Sequence, residues 1–380
     1  MKFLPRLLTC FTLSSVLFGA SPARAADDIV IGQTADFSSV AGQQMKDFNA
    51  GALAYFAQVN ARGGIKGRQI RLEVRDDAFA ADKAAANARE LVNKVGVIAL
   101  FGSRGTDPSE AVMKVADETR TPLIAPITGA DSVRQSPYTF PVRASYRDEV
   151  ASMLQHLAFV PARLALVVQD DKFGNPLAQY IDNTVKTRHP TVQIVAKVKF
   201  QRKQPDLANE ARAVLDAMPT AVIALCNPTS CESLVRNLHE QSKARARPRP
   251  TVYQTSISDM YTQFKKMGPD VVAGNPYSQV LPDPNRGIST LVKDYRAAMA
   301  RAQAPLGYRS YEGYFSAAVL VEALKRARGP SRADLFDALE QGMANGVEIG
   351  EVSVRYARGN HRGSQYVDLV TINRDGRLVN

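Results

Sequence analysis

The chain has 380 residues, of which 45% are hydrophobic and 22% charged, with a formal net charge of +11, three cysteines and no tryptophan. This balance is typical of a folded globular protein and excludes a disordered chain, a collagen-like repeat and a small disulfide-dense scaffold. At roughly 150 residues per domain, the length predicts two domains. The longest strongly apolar stretch lies at the N-terminus and is too short to span a bilayer, which excludes a multi-pass membrane protein.

The first 25 residues have the three parts of an export signal. Lys2 and Arg6 make a basic segment, residues 7–20 are apolar, and Ala23-Arg24-Ala25 supplies the small residues that precede a cleavage site. We expect cleavage after Ala25 and export from the cytoplasm. Loss of Lys2, Arg6 and Arg24 then lowers the formal charge from +11 to +8.

From residue 28 onward, short β-branched segments alternate with longer segments of helical period. The first series has strands at 29–32, 70–74, 97–101 and 123–125 and helices at 47–60, 80–94 and 108–118. Each strand is followed by a helix, which predicts a parallel sheet with right-handed connections.

A second series of the same rhythm begins after Arg143. It has helices at 147–159, 176–188, 207–218 and 230–243 and strands at 164–168, 192–198, 222–225 and 251–254. The C-terminal segment adds helices at 289–301, 311–327 and 332–342 and strands near 347–354 and 365–372. We therefore predict an α/β protein with two Rossmann-like lobes, each built on a parallel sheet.

Two loops that follow predicted strands are rich in small residues and hydrogen-bond donors. In the loop at 102–108, Gly102 lets the backbone approach a ligand, while Ser103 and the amides of the following helix suit an anion. Neither loop has the lysine or the spacing of a phosphate loop, so a carboxylate is favoured. A helix cap and tight turn without any ligand remains the alternative. The second loop, at 126–131, contains Ile127, Thr128 and Gly129.

Other loops of the second series leave alternatives open. Phe173 follows the strand at 164–168 and either walls a cleft or packs under its own helix. Cys226 and Cys231 remain after cleavage, and their spacing permits either a disulfide or two free thiols in an oxidising compartment. The basic segment at 243–249 is interrupted by prolines and is interpreted as a solvated loop. Because the protein is expected to be exported and this basic segment is interpreted as a solvated loop, we exclude nucleic acid as a partner.

Catalytic patterns are absent from the sequence. The four histidines, at 156, 189, 239 and 361, have no metal-ligand spacing. No Gly-x-Ser-x-Gly, His-Glu-x-x-His or Cys-x-x-Cys motif occurs. An exported hydrolase needs a nucleophile within reach of a base, and the predicted cleft loops contain no histidine. We expect no enzyme activity, no metal and no cofactor.

Several motifs occur along the chain in a recognisable order, including those at 29–34, 101–103, 143–146, 278–280 and 312–314. The most specific has the form Asn-x-x-Gly-Gly-Ile-x-Gly-Arg and begins at Asn60. Together they resemble the periplasmic leucine/isoleucine/valine-binding proteins of ABC importers, over about residues 28–373.

The resemblance implies a periplasmic binding protein of type I, in which three crossover segments join two lobes that close on a small solute. On this basis we expect the first lobe at 26–144 and 276–352 and the second at 145–275 and 353–380. The crossovers should lie near 143–146, 275–278 and 352–356.

The resemblance also implies site residues. Ser103 corresponds to the family's carboxylate-binding serine, and the loop with Ile127, Thr128 and Gly129 also holds the ligand. Phe173 corresponds to an aromatic contact from the second lobe.

Departures from the family pattern concern the ammonium end of the ligand. Gln43 and Asn227 replace aromatic residues, and Ser256 stands where the family has an acid that pairs with the ammonium group. Because an unpaired buried ammonium is costly, we favour a carboxylate that is not an α-amino acid, such as an aromatic or aliphatic acid. Asp259 and Tyr277 remain candidates for binding an ammonium group.

The resemblance therefore implies a monomeric solute-binding protein that delivers a small carboxylate to an inner-membrane ABC permease. The alternative is a sensor of the same fold, which presents its ligand to a membrane receptor.

Overall fold

The structure is a computed structural model that describes residues 28–39 and 41–379. The predicted export signal, residues 1–25, lies outside the described residues. Among the helices that are described, none is both long enough and apolar enough to cross a membrane.

A parallel sheet forms the centre of the first lobe. Its strands are β1 (Ile29–Ala35), β2 (Ile70–Asp76), β3 (Ala99–Phe101), β4 (Leu123–Ile124) and β5 (Thr139–Phe140), in the order β2-β1-β3-β4-β5. The connecting helices are α1 (Gln43–Ala61), α2 (Ala81–Glu90), which a π-helical turn at Leu91–Val95 extends, and α3 (Thr106–Thr119). Because helices cover both faces, the central strands are almost wholly apolar and buried.

The second lobe repeats this alternation. Its strands are β6 (Ala162–Gln169), β7 (Val192–Phe200), β8 (Ala221–Leu225), β9 (Thr251–Gln254) and β10 (Tyr277–Gln279). Its helices are α4 (Tyr146–Leu157), α5 (Gly174–Arg188), α6 (Ala208–Asp216), α7 (Pro228–Ala244), α8 (Met260–Met267) and α9 (Pro269–Val272). A capping box fixes the start of α4, because Ser145 and Asp148 each accept a hydrogen bond from the other's backbone N–H.

The C-terminal segment contributes to both lobes. The elements packed against the first lobe are α10 (Thr290–Arg301), α11 (Tyr308–Arg326), α12 (Arg332–Glu340), β11 (Val347–Ile349), β12 (Val352–Ala357) and β13 (Asn360–Gly363). Two further strands, β14 (Asp368–Ile372) and β15 (Leu378–Val379), return to the second sheet, whose order is β15-β14-β10-β9-β8-β6-β7. The chain thus crosses three times between the lobes, which confirms the predicted α/β class with two parallel-sheet lobes.

Helices α1 and α11 pack with almost no space between their backbones. A Cβ atom on Gly51 of α1 would lie 1.7 Å from the Ser310 carbonyl oxygen. A Cβ atom on Gly313 of α11 would lie 1.8 Å from the Phe48 carbonyl oxygen. Glycine at both positions therefore permits the close approach. Through this contact α11 fills the core of the first lobe.

The second crossover lies later in the chain than the expected boundary at 276. β10 pairs in parallel with β9 and antiparallel with β14, so residues 277–279 are part of the second sheet. The boundary expected at 276 is therefore wrong, and the crossover follows Gln279.

The third crossover also lies later than expected. Val354 and Tyr356 are buried in the first-lobe core, so β12 and β13 belong to that lobe and the boundary expected at 353 is wrong. The crossover spans 364–367, between β13 and β14. The single strand predicted near 347–354 is two antiparallel strands, because Gly350, with φ of +64°, turns the chain between them.

Candidate ligand-binding site

The loops that follow the strands of the two lobes meet across a cavity of about 50 Å³, called here the central cleft. This is where open α/β sheets bind ligands, outside the carboxyl ends of their strands. The first lobe contributes Gln44, Phe79, Arg104, Thr106, Ile127 and Arg309, and the second Tyr146, Gln169, Phe173, Arg202, Asn227 and Ile257.

Arg104 places a buried positive charge at the cleft, in the loop between β3 and α3. Its Nη1 donates a hydrogen bond to Asp36 Oδ2 at 3.0 Å, and its Nη2 donates to Gln44 Oε1 at 3.2 Å. Burial lowers the pKa of Arg104 to about 10, against the opposing effect of Asp36, and the charges of Arg309 and Arg202 lower it further. The guanidinium therefore remains protonated at neutral pH and suits a carboxylate partner.

Phe79 connects the lobes through cation–π contacts. The guanidinium carbon of Arg202, from the second lobe, lies 3.7 Å from the centre of the Phe79 ring, and that of Arg104 lies 5.6 Å from the same ring. Phe79 has a φ of +62°, which is rare for a bulky residue. Asp77 holds it there, since Asp77 Oδ1 accepts a hydrogen bond from the Phe79 N–H at 2.9 Å. Strained turns of this kind are concentrated at functional sites.

Arg309 also reaches across the cleft, from the first turn of α11. It is ion-paired with Glu312, and its Nη2 donates to the Ser256 carbonyl oxygen at 3.3 Å. Next to it, Gln44 Nε2 donates to the Ile257 carbonyl oxygen at 3.1 Å. Both hydrogen bonds join side chains of the first lobe to the backbone of the second, so the two lobes are in direct contact beside the cleft.

Hydroxyl groups and the N-terminus of α3 lie beside these arginines. Thr106 begins α3, and its Oγ1 lies 3.1 Å from Thr128 Oγ1. The preceding residue, Gly105, has no side chain with which to cap the helix. Because the first amides of a helix have no intrahelical partners and carry partial positive charge, this end of α3 favours an anion.

Three of the residues predicted from the sequence line the central cleft, namely Ile127, Phe173 and Asn227. The Phe173 ring meets the Tyr146 ring edge to face, with 4.9 Å between their centres. Thr128 lies behind Thr106 through the hydroxyl contact described above. The neighbouring Gly129 accepts a hydrogen bond from the Tyr146 N–H at 2.9 Å through its carbonyl oxygen, and so holds the cleft wall in place.

Ser103 and Gly102 do not contact the central cleft as expected. Ser103 is 1% exposed, and its Oγ lies 2.9 Å from Ser109 Oγ within the start of α3. Gly102 lies against the Gln33 and Phe48 side chains. The assignment of the carboxylate to the Ser103 hydroxyl therefore needs correction, because that hydroxyl is engaged inside the first lobe.

Gln43 and Tyr277 are also placed away from the cleft. Gln43 is exposed and donates a hydrogen bond to Asp47 Oδ1 at 2.8 Å, whereas its neighbour Gln44 lines the cleft. The Tyr277 hydroxyl donates to Gln263 Oε1 at 2.7 Å inside the second lobe. A helix exposes successive residues in different directions, which explains the shift from Gln43 to Gln44.

Ser256 belongs to a buried polar cluster where the lobes join, called here the crossover network and made up of Arg143, Glu149, Ser256, Ser278 and Glu312. The Ser256 N–H and hydroxyl donate to Glu149 at 2.7 and 3.0 Å, and the Ser278 hydroxyl donates to it at 2.5 Å. Arg143 pairs with Glu149 at 3.1 Å and with Glu312 at 3.4 Å. Burial would lower the pKa of Arg143, but Glu312 and Glu149 outweigh it and hold the pKa above its usual value.

Several residues that line the cleft were not predicted from the sequence, among them the arginines Arg104, Arg202 and Arg309. Arg104 lies inside the loop at 102–108 that was singled out, so a charged residue in a loop of small residues was an available signal. Arg202 follows β7, and Arg309 belongs to α11, which no strand-to-helix pattern connects with the site.

A disulfide joins Cys226 to Cys231, whose Cα atoms are 5.4 Å apart. It connects the residue after β8 to the first turn of α7, directly beside Asn227. The alternative left open by the sequence, two free thiols, is not what the structure contains.

Comparisons with known proteins agree with this architecture. Residues 28–377 match the sequence model of a family described as periplasmic binding protein, so the chain belongs to that family. Its structural neighbours have the type I fold, which this chain shares. The family implies a location in the periplasm or outside the cell.

A curated relative is Leu/Ile/Val-binding protein homolog 7 of Brucella suis biovar 1 (strain 1330), which is 22% identical over 401 residues, 98% of this chain and 97% of the relative. A substrate-binding periplasmic protein from Ralstonia solanacearum has a similar structure, with a TM-score of 0.84 and 28% identity over 93% of this chain and 99% of the other. A branched chain amino acid ABC transporter protein from Thermus thermophilus with bound valine shares the fold, with a TM-score of 0.79 and 17% identity over 93% and 95% of the two chains. These relatives are binding proteins.

Proposed function

We propose that this protein is the substrate-binding component of an ABC importer of the branched-chain amino acid type, and that it encloses a small carboxylate between its lobes by hinge closure. After cleavage behind Ala25, the mature chain acts as a monomer in the periplasm and delivers its solute to an inner-membrane permease. Contacts that both lobes make with the solute exist only in the closed form, so binding shifts the population towards closure.

The observation that carries the carboxylate assignment is the group of cations at the central cleft. Arg104 is nine-tenths buried and has one carboxylate partner, Asp36. Arg202 has Asp171 at 3.9 Å, a loose pairing. A carboxylate in the cleft would meet these guanidinium groups together with the Thr106 hydroxyl and the N-terminus of α3, and charge-assisted hydrogen bonds of this kind are the strong ones.

The crossover network helps to distinguish an α-amino acid from a carboxylate that has no ammonium group. Glu149 lies behind Ser256, yet its charge is compensated by Arg143 and three hydrogen bonds from serines. The position at which the family binds an α-ammonium group therefore offers no free acid. This supports an aliphatic or aromatic acid over an α-amino acid.

The test uses residues 26–380, unfolded and refolded to remove any bound solute. L-leucine, hexanoate and benzoate are screened by thermal shift, since a ligand at 100 times its dissociation constant stabilises the folded protein by about 2.7 kcal/mol. For the acid that binds, Arg104→Ala should lower the affinity at least about tenfold, the scale of a hydrogen bond to a charged group. Ser103→Ala is the matched control and should leave the affinity unchanged. Equal affinities of Arg104→Ala and the unmodified protein would contradict the assignment.

A further inference from the structure

A larger groove lies beside the central cleft, and a pair of stacked side chains separates the two spaces. The groove, called here the outer groove, has a volume of about 860 Å³, against about 50 Å³ for the central cleft. Among the described residues, only Phe79 of the first lobe and Arg202 of the second line both spaces. The contact between the Phe79 ring and the Arg202 guanidinium therefore closes the central cleft on this side.

Phe79 lies in a strained turn directly after β2. The turn spans residues 77–80, and the Ala80 N–H donates a hydrogen bond to the Asp77 carbonyl oxygen at 2.9 Å. Both central residues have positive φ, +50° at Ala78 and +62° at Phe79. Glycine and asparagine usually fill such positions, because a Cβ atom makes this backbone conformation unfavourable. Local propensity does not explain the turn, so another contact has to hold it.

The side chain of Asp77 supplies this contact. Its Oδ1 accepts a hydrogen bond from the Phe79 N–H at 2.9 Å, and its Oδ2 accepts one from Thr34 Oγ1 at 3.2 Å. Thr34 Oγ1 in turn accepts a hydrogen bond from Asn87 Nδ2 of α2 at 3.1 Å. The Asp77 N–H donates to the Ala35 carbonyl oxygen at 3.0 Å. Asp77 thus ties the strained turn to β1, inside the first lobe.

Gly105 leaves room for the ring that this turn presents. A Cβ atom on Gly105 would overlap the Phe79 ring, and the φ of Gly105 is +82°. The ring accordingly packs against the backbone that precedes α3, where the guanidinium groups of Arg104 and Arg202 contact it. The gap at Gly105 and the turn held by Asp77 are separate features, and both fix the ring at the cleft.

Asp77 is buried without a compensating cation. It is 0% exposed, and among the described residues no Lys, Arg or His nitrogen lies within 4 Å of its carboxylate. The neighbouring carboxylates are paired. Asp36 pairs with Arg104 at 3.0 Å. Asp76 pairs with Lys83 at 3.8 Å. The hydrogen bonds that Asp77 accepts are therefore its means of stabilising a buried charge.

This charge lowers the stability of the folded protein at neutral pH. Burial raises the pKa of Asp77 from 3.8 to about 6, against the hydrogen bonds from the Phe79 N–H and Thr34. The charges of Asp36 and Asp76 raise it further. A carboxyl whose pKa is higher in the folded than in the unfolded chain favours folding when protonated, so its contribution is lost as the pH rises from about 4 to about 6. Such a group, unfavourable to the fold and placed at a cleft, is typical of one kept for function.

We propose that Asp77 is a positioning residue for solute binding, which holds the Phe79 ring so that it stacks on Arg202 and closes the central cleft against the outer groove. This rests on the proposed function, in which a carboxylate lies in the central cleft. Asp77 acts through Phe79 rather than by contact with the solute.

A pair of variants and their combination test whether Asp77 acts through Phe79. Titration calorimetry on the refolded residues 26–380 measures the affinities for hexanoate and benzoate. For the acid that binds, Asp77→Ala and Phe79→Leu should each lower the affinity about fivefold, the scale of a cation–π contact. The double variant should lose no more than either single variant, because both changes disable the same contact.

The matched control is Asn373→Ala, in the turn between β14 and β15. The Asn373 side chain likewise accepts a hydrogen bond from the N–H two residues ahead, that of Asp375, at 3.0 Å. This variant removes the same kind of turn contact in a part of the second lobe that does not line the central cleft. It should leave the affinity unchanged.

Asp77→Asn separates positioning from a purely structural role. It keeps an oxygen that accepts from the Phe79 N–H but carries no charge. Its unfolding midpoint in guanidinium chloride should therefore exceed that of the unmodified protein at about pH 7.5, and the difference should narrow as the pH is lowered from about 6 to about 4. Its affinity should lie between those of the unmodified protein and Asp77→Ala.

The outcomes distinguish this inference from the proposed function. If the losses of Asp77→Ala and Phe79→Leu are fully additive, or if Asp77→Asn lowers the unfolding midpoint together with the affinity, the inference is wrong and the carboxylate assignment stands. The same holds if Asp77→Ala binds the acid as tightly as the unmodified protein. If neither acid binds, both are wrong.

Discussion

In the crossover network, Arg143 is 2% exposed and lies between Glu149 at 3.1 Å and Glu312 at 3.4 Å. In the central cleft, Arg104 has a single carboxylate partner and Arg202 has one only at 3.9 Å. The same residue type thus has two roles where the lobes meet. A guanidinium between two buried carboxylates holds crossover segments together, and one whose charge is less fully compensated by carboxylates keeps its capacity to bind an anion.

Replacing Arg143 should have the largest effect on stability. Arg143→Met leaves Glu149 buried without its cation and leaves Glu312 with Arg309 alone. Breaking a buried pair in this way costs about 3–5 kcal/mol of unfolding free energy. Guanidinium chloride unfolding followed by circular dichroism measures it. Arg374→Met, which removes an exposed pair with Asp270, is the control and should leave the midpoint unchanged. A loss for Arg143→Met as small as that of the control would show that the network is not structural.

Removing the disulfide should also lower stability, but without leaving any buried charge unpaired. Replacing Cys226 and Cys231 together by alanine opens a short loop, for which the chain-entropy estimate is about 2 kcal/mol of unfolding free energy. Although Asn227 is adjacent, we expect ligand affinity to stay the same. A large loss of affinity at unchanged stability would mean that the disulfide orders the cleft rather than the second lobe.

The cation–π contact should affect binding more than stability. Phe79→Leu keeps an apolar side chain but removes the ring face, and Arg202→Ala removes the cation. Each should weaken ligand binding about fivefold, since such contacts contribute about 1 kcal/mol. Titration calorimetry on both single variants and the double variant tests the pairing, because coupled residues give non-additive losses. Fully additive losses would argue against contact in the closed form.

The smallest effect is expected at the exposed edge of the cleft. Lys172 of the second lobe lies 2.8 Å from Glu110 and 3.4 Å from Asp107 of the first. Exposed pairs contribute about 0.2–1 kcal/mol. Lys172→Ala should therefore weaken ligand binding by a few-fold at most, and the difference should vanish at about 1 M salt, where the Debye length is about 3 Å. A difference that persists at high salt would contradict this description.

Strands with a clear apolar pattern were predictable, and those held by distant polar contacts were not. β9 lies at Thr251–Gln254, where the sequence predicted it. β10 was interpreted as a crossover, because three residues, two of them polar, give no strand pattern. Ser278 is nevertheless fully buried, since its hydroxyl donates to Glu149, which is 129 positions away in the chain.

The candidate site was predictable as a set of loops but not as a set of side chains. The loop at 102–108 does lie at the cleft, yet Ser103 turns inward to Ser109 while Arg104 faces the cavity. Which of two neighbouring residues points to a ligand depends on how the helix begins. Arg202 and Arg309 lie on different lobes and line the same cavity, a tertiary arrangement that nothing local in the sequence encodes.

The burial of α11 in the first lobe has a consequence for the order of folding. The strands β1–β5 are complete by Phe140, yet Tyr311, Tyr314 and Phe315, which fill the core beside α1, follow some 170 residues later. Contacts between segments so far apart form slowly. We therefore expect the core of the first lobe to be completed only after α11 has been added, so a fragment that ends before α11 should lack a compact first lobe.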